Sequence, residues 1–336
     1  MSGANHLKKS IKDVARLAGV SSATVSRVLA NKPHVREEVK KRVLEAVKTL
    51  EYKPSRIAQR LRTQRSQIIG LIVSDVQNSF FTSIARAVED VAYQHGYAVF
   101  LCNSDEDSEK EQLYVDLLLA EEVAGIVISP TREQGSASAI IEAGVPLVTL
   151  DRYVKDVDTD RVLSDNIESS KALVQELIQQ GHRRIAAVLS DLSITTGRER
   201  YEGYTSALAE AGLTVDKKLV FTGKPIEEVG YELAKNLLKT SPMPTAIFSG
   251  TRYMSLGVIR AIYEAGLRIP QNVSLASFDK LDWSPGMPEM LYAEQPTYMI
   301  GQSAARLLLE RIKTPDRPVQ HLTLRSKLNF QRKQLT

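Results

Sequence analysis

The sequence predicts an α/β protein in two parts, a small all-α head and a larger two-lobed core of parallel sheets. Three observations carry that reading. Apolar residues recur at helical spacing through the first fifty positions. From Ile68 onward, short β-branched runs alternate with amphipathic segments, the pattern of strands joined by crossover helices. That alternation runs through two successive series, one for each lobe. A length of 336 residues suits two or three compact units.

In the head, Ile11, Val14, Ala15 and Ala18 predict an amphipathic helix over 11–18. Gly19 suits the positive φ of a helix C-terminus, and Ser21 stands where an N-cap belongs. Val25, Val28 and Leu29 give a second helix, about 22–30, its apolar stripe; Asn31, Lys32 and Pro33 end it. Val39, Val43, Ala46, Val47 and Leu50 mark a third. Two short helices joined by a tight glycine turn and braced by a third form a helix-turn-helix, whose second helix would enter the major groove of DNA. Near its start stand Ser22, Ala23, Thr24, Ser26 and Arg27. Arg27 is the strongest base reader, because guanidinium pairs bidentately with guanine O6 and N7. A phosphate contact or an exposed side chain is the alternative. Periodicity alone fits a generic three-helix domain nearly as well.

Charge separates the two parts. Residues 1–65 hold 16 Lys and Arg against 5 Asp and Glu, a net of +11, and the remainder holds 28 against 35, a net of −7. A basic head on an acidic body implies that only the head faces a polyanion. No run approaches the ~18 uninterrupted apolar residues of a membrane helix. Residues 1–9 are polar and basic with no apolar stretch behind them, unlike a secretory signal. The single cysteine, Cys102, excludes an internal disulfide framework and a cysteine-rich zinc site. The cytoplasm is the expected compartment.

The body's first series places strands at 68–73, 98–102, 125–129 and 147–150, with a helix at 81–95. The second places strands at 185–189, 219–221, 245–248 and 273–278. After Ile72-Val73 comes Ser-Asp-Val-Gln-Asn-Ser-Phe-Phe, so the dinucleotide fingerprint is absent. There is no P-loop, zincin histidine pair or Gly-x-Ser-x-Gly elbow, and no catalytic role is expected of His182 in Gln-Gly-His-Arg-Arg-Ile. The expectation is a non-enzyme with neither metal nor cofactor.

The run Ile11-Lys-Asp-Val-Ala-Arg-Leu-Ala-Gly-Val-Ser-Ser-Ala-Thr-Val-Ser-Arg-Val-Leu29 resembles the signature of the LacI/GalR family of bacterial repressors. Tyr52-Lys-Pro-Ser-Arg-Ile-Ala-Gln-Arg-Leu61 resembles that family's hinge helix, and the likeness covers essentially the whole chain. Read physically, Pro54 favours a helix start and Ser55 can cap it, but a basic helix so short should fold only on DNA or in a dimer. The resemblance implies DNA contacts from His34 and Tyr52, and from Ser55, Arg56, Ala58, Leu61 and Arg62 of the hinge. There Leu61 would wedge between base pairs in the minor groove, unless it packs on the adjacent domain. It further implies a homodimer on a near-palindromic operator of double-stranded DNA, away from any membrane.

By the same resemblance the body is a periplasmic-binding-protein-like core. The expected division is a DNA-binding domain at 1–53, a hinge at 54–65 and an effector-binding and dimerisation core at 66–336. Lobe one would take 66–163 and 296–320, and lobe two 164–295 and 321–334. Two such lobes close on a small effector. The implied effector residues are Phe80 and Phe81 after the first strand, Ser129, Arg152 of the Leu-Asp-Arg step, Asp165 at the lobe crossover, Thr196, Arg200 before Gly203-Tyr204, and Asp279 of the Phe-Asp step. One position departs from the pattern. Where most relatives carry Asp or Asn, this chain has Arg252 in Thr-Arg-Tyr. Arginine only donates, so with Arg152 and Arg200 the cleft is expected to be cationic and to take a sugar acid or sugar phosphate. The alternative is that Arg252 pairs with an acid such as Asp279.

The resulting expectation is a transcriptional repressor of carbohydrate or sugar-acid metabolism genes. A catabolite-control regulator answering to a phosphorylated carrier protein is the alternative, on a likeness around Asn103-Ser-Asp105. A solute-binding protein or an α/β enzyme fits less well, given the reader domain and the missing catalytic constellation.

Overall fold

A computed structural model describes residues 9–29, 35–52, 66–132, 136–155, 157–281 and 288–330. The chain divides into two compact units, one ending at Ser66 and the other beginning at Gln67.

The first unit contains α1 (Ile11–Ala18), α2 (Ser22–Leu29) and α3 (Glu37–Thr49). Ser10 begins α1 by donating from its amide and its hydroxyl to Asp13, at 2.9 and 2.7 Å. Those bonds hold the Asp13 carboxyl below its ordinary pKa. The expected glycine turn is present. Gly19 has φ 62°, and its amide and that of Val20 close on the carbonyls of Arg16 and Ala15. This paired closure is a Schellman motif. Ser21 then caps α2, accepting from the Thr24 amide at 3.1 Å. Val14, Ala18, Val25, Val28, Val43 and Ala46 are buried together, so the periodic positions form one core.

The second unit holds two six-stranded sheets. The first runs β11-β5-β4-β3-β1-β2, with β1 (Ile68–Val73), β2 (Ala98–Asn103), β3 (Gly125–Ile128), β4 (Leu147–Leu150), β5 (Asp160–Ser164) and β11 (His321–Leu324), all parallel. The second runs β12-β10-β9-β8-β6-β7, with β6 (Ile185–Ser190), β7 (Val220–Gly223), β8 (Ala246–Ser249), β9 (Ser274–Phe278), β10 (Leu291–Glu294) and β12 (Lys327–Asn329). Only β12 runs antiparallel, against β10.

Helices cover both faces of each sheet. Around the first are α4 (Ser79–Gln94) and α11 (Thr297–Lys313) on one side, and α5 (Ser108–Ala120) and α6 (Ala137–Glu142) on the other. Around the second are α7 (Asn166–Gln179) and α8 (Thr195–Glu210), opposite α9 (Glu227–Leu238) and α10 (Arg252–Glu264). Helix α8 approaches α7 so closely that a Cβ on Gly203 would collide with the Ile167 carbonyl oxygen.

The lobe boundaries differ from expectation at the end of the chain. Strand β11 pairs with β5 throughout, so 321–324 belong to the first lobe, and only β12 joins the second. The chain therefore crosses between lobes after Ser164, near Gln295 and after Leu324. Asp165 binds the hydroxyl of Ser169 and the amide and hydroxyl of Ser326, tying two of these crossovers together.

Candidate functional site

On the head, burial of Val25 and Val28 turns the opposite face of α2 outward. Ala23 and Arg27 are exposed there, and Ser22, Thr24 and Ser26 are partly so. That face is where base readers were expected. Tyr52 differs: it is 9% exposed and packs in the head's core, which gives its ring a packing role rather than a surface one. His34, Ser55, Arg56, Ala58, Leu61 and Arg62 lie outside the described residues.

In the second unit, a cavity of about 630 Å³ opens between the carboxyl ends of both sets of strands. Ligands of open α/β sheets bind at such ends. The first lobe contributes the turns after β1 to β4, and the second those after β6 to β9, with Gln295 at a crossover. Phe80, Phe81, Arg152, Thr196, Arg200, Arg252 and Asp279 all line it. The Phe80 and Phe81 rings meet edge to face at 4.9 Å.

Two expected residues serve elsewhere. Ser129 is fully buried and does not line the cavity. Asp165 also stands off it, because its carboxylate is occupied by the crossover contacts.

The arginines are less available than expected. Arg152 makes a bidentate pair with Glu106, each bond 2.6 Å, and lies 3.5 Å from Asp151. Burial pulls its pKa down, but Glu106 overcomes this and holds it above its ordinary value. Arg200 donates to the Asn166 side chain at 2.9 Å and to the Gly250 carbonyl at 2.6 Å, and stacks 3.7 Å over the Phe278 ring. Burial lowers its pKa, against the pull of Asp279 and Asp151. Arg252 of the second lobe donates to the Ser79 hydroxyl of the first at 2.6 Å and faces the field of Asp279.

Acids balance these cations. Asp75, Asp105, Glu106, Asp151, Asp191 and Asp279 line the cavity, against Arg132, Arg152, Arg200, Lys224 and Arg252. The expected cationic cleft is therefore corrected. The pairing of an arginine with a cleft acid was an expected alternative for Arg252 and not for Arg152. Glu106 lies 46 positions from Arg152 and gave no local signal. Asp151 stood beside Arg152 in the same Leu-Asp-Arg step and was readable there. Burial pushes its carboxyl up to about 6, with Arg152 and Arg200 opposing. Burial also raises Asp279, which takes both carboxylate bonds from Gln295 at 2.9 Å.

Hydroxyl groups complete the lining. The side-chain oxygens of Ser74, Thr131 and Ser190 are buried and bond to no group among the described residues. Asn103 and Asp105, the basis of the carrier-protein alternative, line the cleft as well. Asn103 accepts from the Val76 amide at 3.0 Å and donates to Asp105.

Residues 10–55 match the family described as bacterial regulatory proteins, lacI family, and residues 66–332 match the periplasmic binding proteins and sugar binding domain of that family. The chain belongs to the LacI family. It is 37% identical over 315 residues to the HTH-type transcriptional repressor PurR of Glaesserella parasuis serovar 5, across 92% of this chain and 93% of that one. Among solved LacI-family structures, it resembles the lac repressor dimer bound to operator and the anti-inducer ONPF, at 26% identity with a TM-score of 0.83, covering 96% of this chain and 98% of that one. A complex of the transcriptional regulator CelR with cellobiose is also similar, at 28% identity and a TM-score of 0.73 over 96% and 98% of the two chains. This LacI-family chain is a DNA-binding transcriptional repressor. Among the described residues, no helix is long and apolar enough to cross a membrane.

Proposed function

We propose that this repressor binds a near-palindromic operator as a homodimer, and that a small neutral, hydroxyl-rich ligand in the interlobe cleft sets its operator affinity. A sugar is the class intended. The observation that carries the ligand class is the balance of charge in the cleft. A sugar acid or phosphate needs uncompensated arginines, and Arg152 already has Glu106 and Asp151. Sugar hydroxyls both donate and accept, and the cleft offers both, with Asp151 and Asp279 as acceptors and Arg200 as a donor. The cellobiose complex of CelR is a relative with a neutral sugar. The role is regulatory rather than enzymatic, and the genes it controls are carbohydrate genes on this reading.

The dimer is supported by exposed apolar surface. Among the described residues, strand β2 is an edge of its sheet, with Phe100 and Leu101 44% and 50% exposed, and α5 exposes Leu113 and Leu117. Such surface fits a second copy of the chain.

The test is calorimetry on the full chain with neutral sugars, sugar acids and sugar phosphates, followed by operator binding with each ligand that binds. A neutral sugar is expected to bind and to change operator affinity. Tight binding of a sugar phosphate, with neutral sugars silent, would return the cleft to the anionic class. Sedimentation showing a monomer with full operator affinity would remove the dimer.

A further inference from the structure

We propose that Glu106 decides the charge class of the ligand, by holding Arg152 in a closed pair that denies the first-lobe wall to anions. This deepens the reading above, since it rests on the cleft being the effector site.

The geometry is built rather than incidental. Glu106 meets Arg152 with both carboxylate oxygens on both terminal nitrogens, the strongest arrangement these groups can make. The arginine side chain is 8% exposed and the glutamate side chain 28%. The glutamate is thus the more exposed partner, and both residues line the cavity. Both are delivered by backbone in the left-handed region, Asp105 and Glu106 at φ 53° and 58°, and Asp151 at φ 62°. Non-glycine residues hold that conformation only when the surroundings fix it, and such strain gathers at functional sites.

The surroundings do fix it. Asp105 is bound by Asn103 and by Lys110, and Asn103 in turn anchors the Val76 amide of the β1–α4 turn. Asp107 then caps α5 through the amides of Glu109 and Lys110. One residue farther along the helix, on its buried side, Glu111 accepts from the Thr131 amide at 2.7 Å and the Ser136 hydroxyl at 2.5 Å. The turns after β1, β2, β3 and β4 are therefore joined into one wall, and Glu106 is its carboxylate over Arg152. Without the negative charge of Glu106, Arg152 would keep Asp151 at 3.5 Å and the Pro130 carbonyl at 3.4 Å, and its charge at the cavity wall would lack the carboxylate that now closes it. An anion of phosphate geometry would take the place of the carboxylate.

The experiment uses the full chain and inorganic phosphate as the probe, with binding followed by calorimetry. Wild type is expected to show no saturable phosphate binding at millimolar concentration. Glu106→Gln keeps the side-chain shape, and is expected to bind phosphate about tenfold or more tighter than wild type. Glu106→Gln combined with Arg152→Gln is expected to lose that binding again. If neither single form binds phosphate, Glu106 does not set the charge class, while the neutral-ligand reading stands. If wild type binds as tightly as Glu106→Gln, both fall. If the double variant still binds, the phosphate is not at Arg152 and the inference is overturned. A melting curve checks each variant. Should Glu106→Gln not fold, Glu106→Ala also removes the negative charge and faces the same three outcomes.

Discussion

Asp151 shows how a single carboxyl couples cleft and stability. Its ordinary pKa of 3.8 rises to about 6, because burial outweighs Arg152 and Arg200. The folded protein therefore keeps a proton between about pH 4 and pH 6 that the unfolded chain has released. Stability from this group is fully present below its unfolded pKa and is lost as pH rises through the folded one, by at most about 3 kcal/mol. Asp151→Asn removes the charge and keeps the shape. The variant is expected to melt above wild type near pH 7.5 and to lose that advantage near pH 4.5. A variant less stable at both pH values would show instead that Asp151 is needed to hold Arg152. At this scale the sequence displayed the donors and hid their partners. Arg252 stood out as arginine in a position of expected acceptors. Glu106 could not, since its meaning lies in a pair closed across 46 positions. Asp165 shows the converse: a motif residue was readable, but its contact with Ser326 made it a crossover tie rather than a ligand group.

The elements that periodicity controls were the most legible. Helices α1 and α2 begin where the sequence placed them, because Gly19 and Ser21 are a stop and a start with local causes. Those causes can be tested. Gly19→Ala puts a Cβ on a residue at φ 62° and is expected to destabilise the head by about 1 kcal/mol. Ser21→Ala leaves the Thr24 amide without its cap and is expected to cost about 1 kcal/mol as well. Denaturation followed by helical circular dichroism measures both. Unchanged stability in Gly19→Ala would mean that the turn relaxes to negative φ. Strand β5 was not foreseen. Its charged Asp160 and Arg161 carry no apolar signal, yet Asp160 is fully buried and paired with Arg311 and Arg317 at 3.0 and 2.8 Å. These partners come from α11 and the segment after it, so the strand is made affordable by chain that lies 151 and 157 positions away. Strand β11 was assigned to the wrong lobe for a related reason. Short terminal strands carry no signal of which sheet edge they will meet.

For the whole molecule, the separation of charge governs how it meets DNA. A net charge of +11 over residues 1–65 favours contact with phosphates, while −7 over the rest disfavours it. Each phosphate neutralised releases counterions, so the logarithm of the operator association constant should fall linearly with the logarithm of salt. A site with about 6–10 phosphate contacts loses about 10³–10⁵ in affinity between about 50 and 200 mM salt. That slope also decides between the two readings of Arg27, whose exposed side chain on α2 fits either a base or a phosphate. If Arg27 pairs with guanine, Arg27→Ala should relax preference at one position in each half-site by about 1–3 kcal/mol, and the salt slope should stay close to that of wild type. If Arg27 binds phosphate, the loss should be uniform across sequences and the slope should shrink by about one for each half-site. We expect the first result, since a guanidinium near the start of the second helix of a helix-turn-helix can pair bidentately with guanine. Titrating wild type and Arg27→Ala against the operator and its single-base variants, at several salt concentrations, measures both quantities together. A uniform loss with a shallower slope would take Arg27 out of sequence recognition and leave base reading to the other residues of α2.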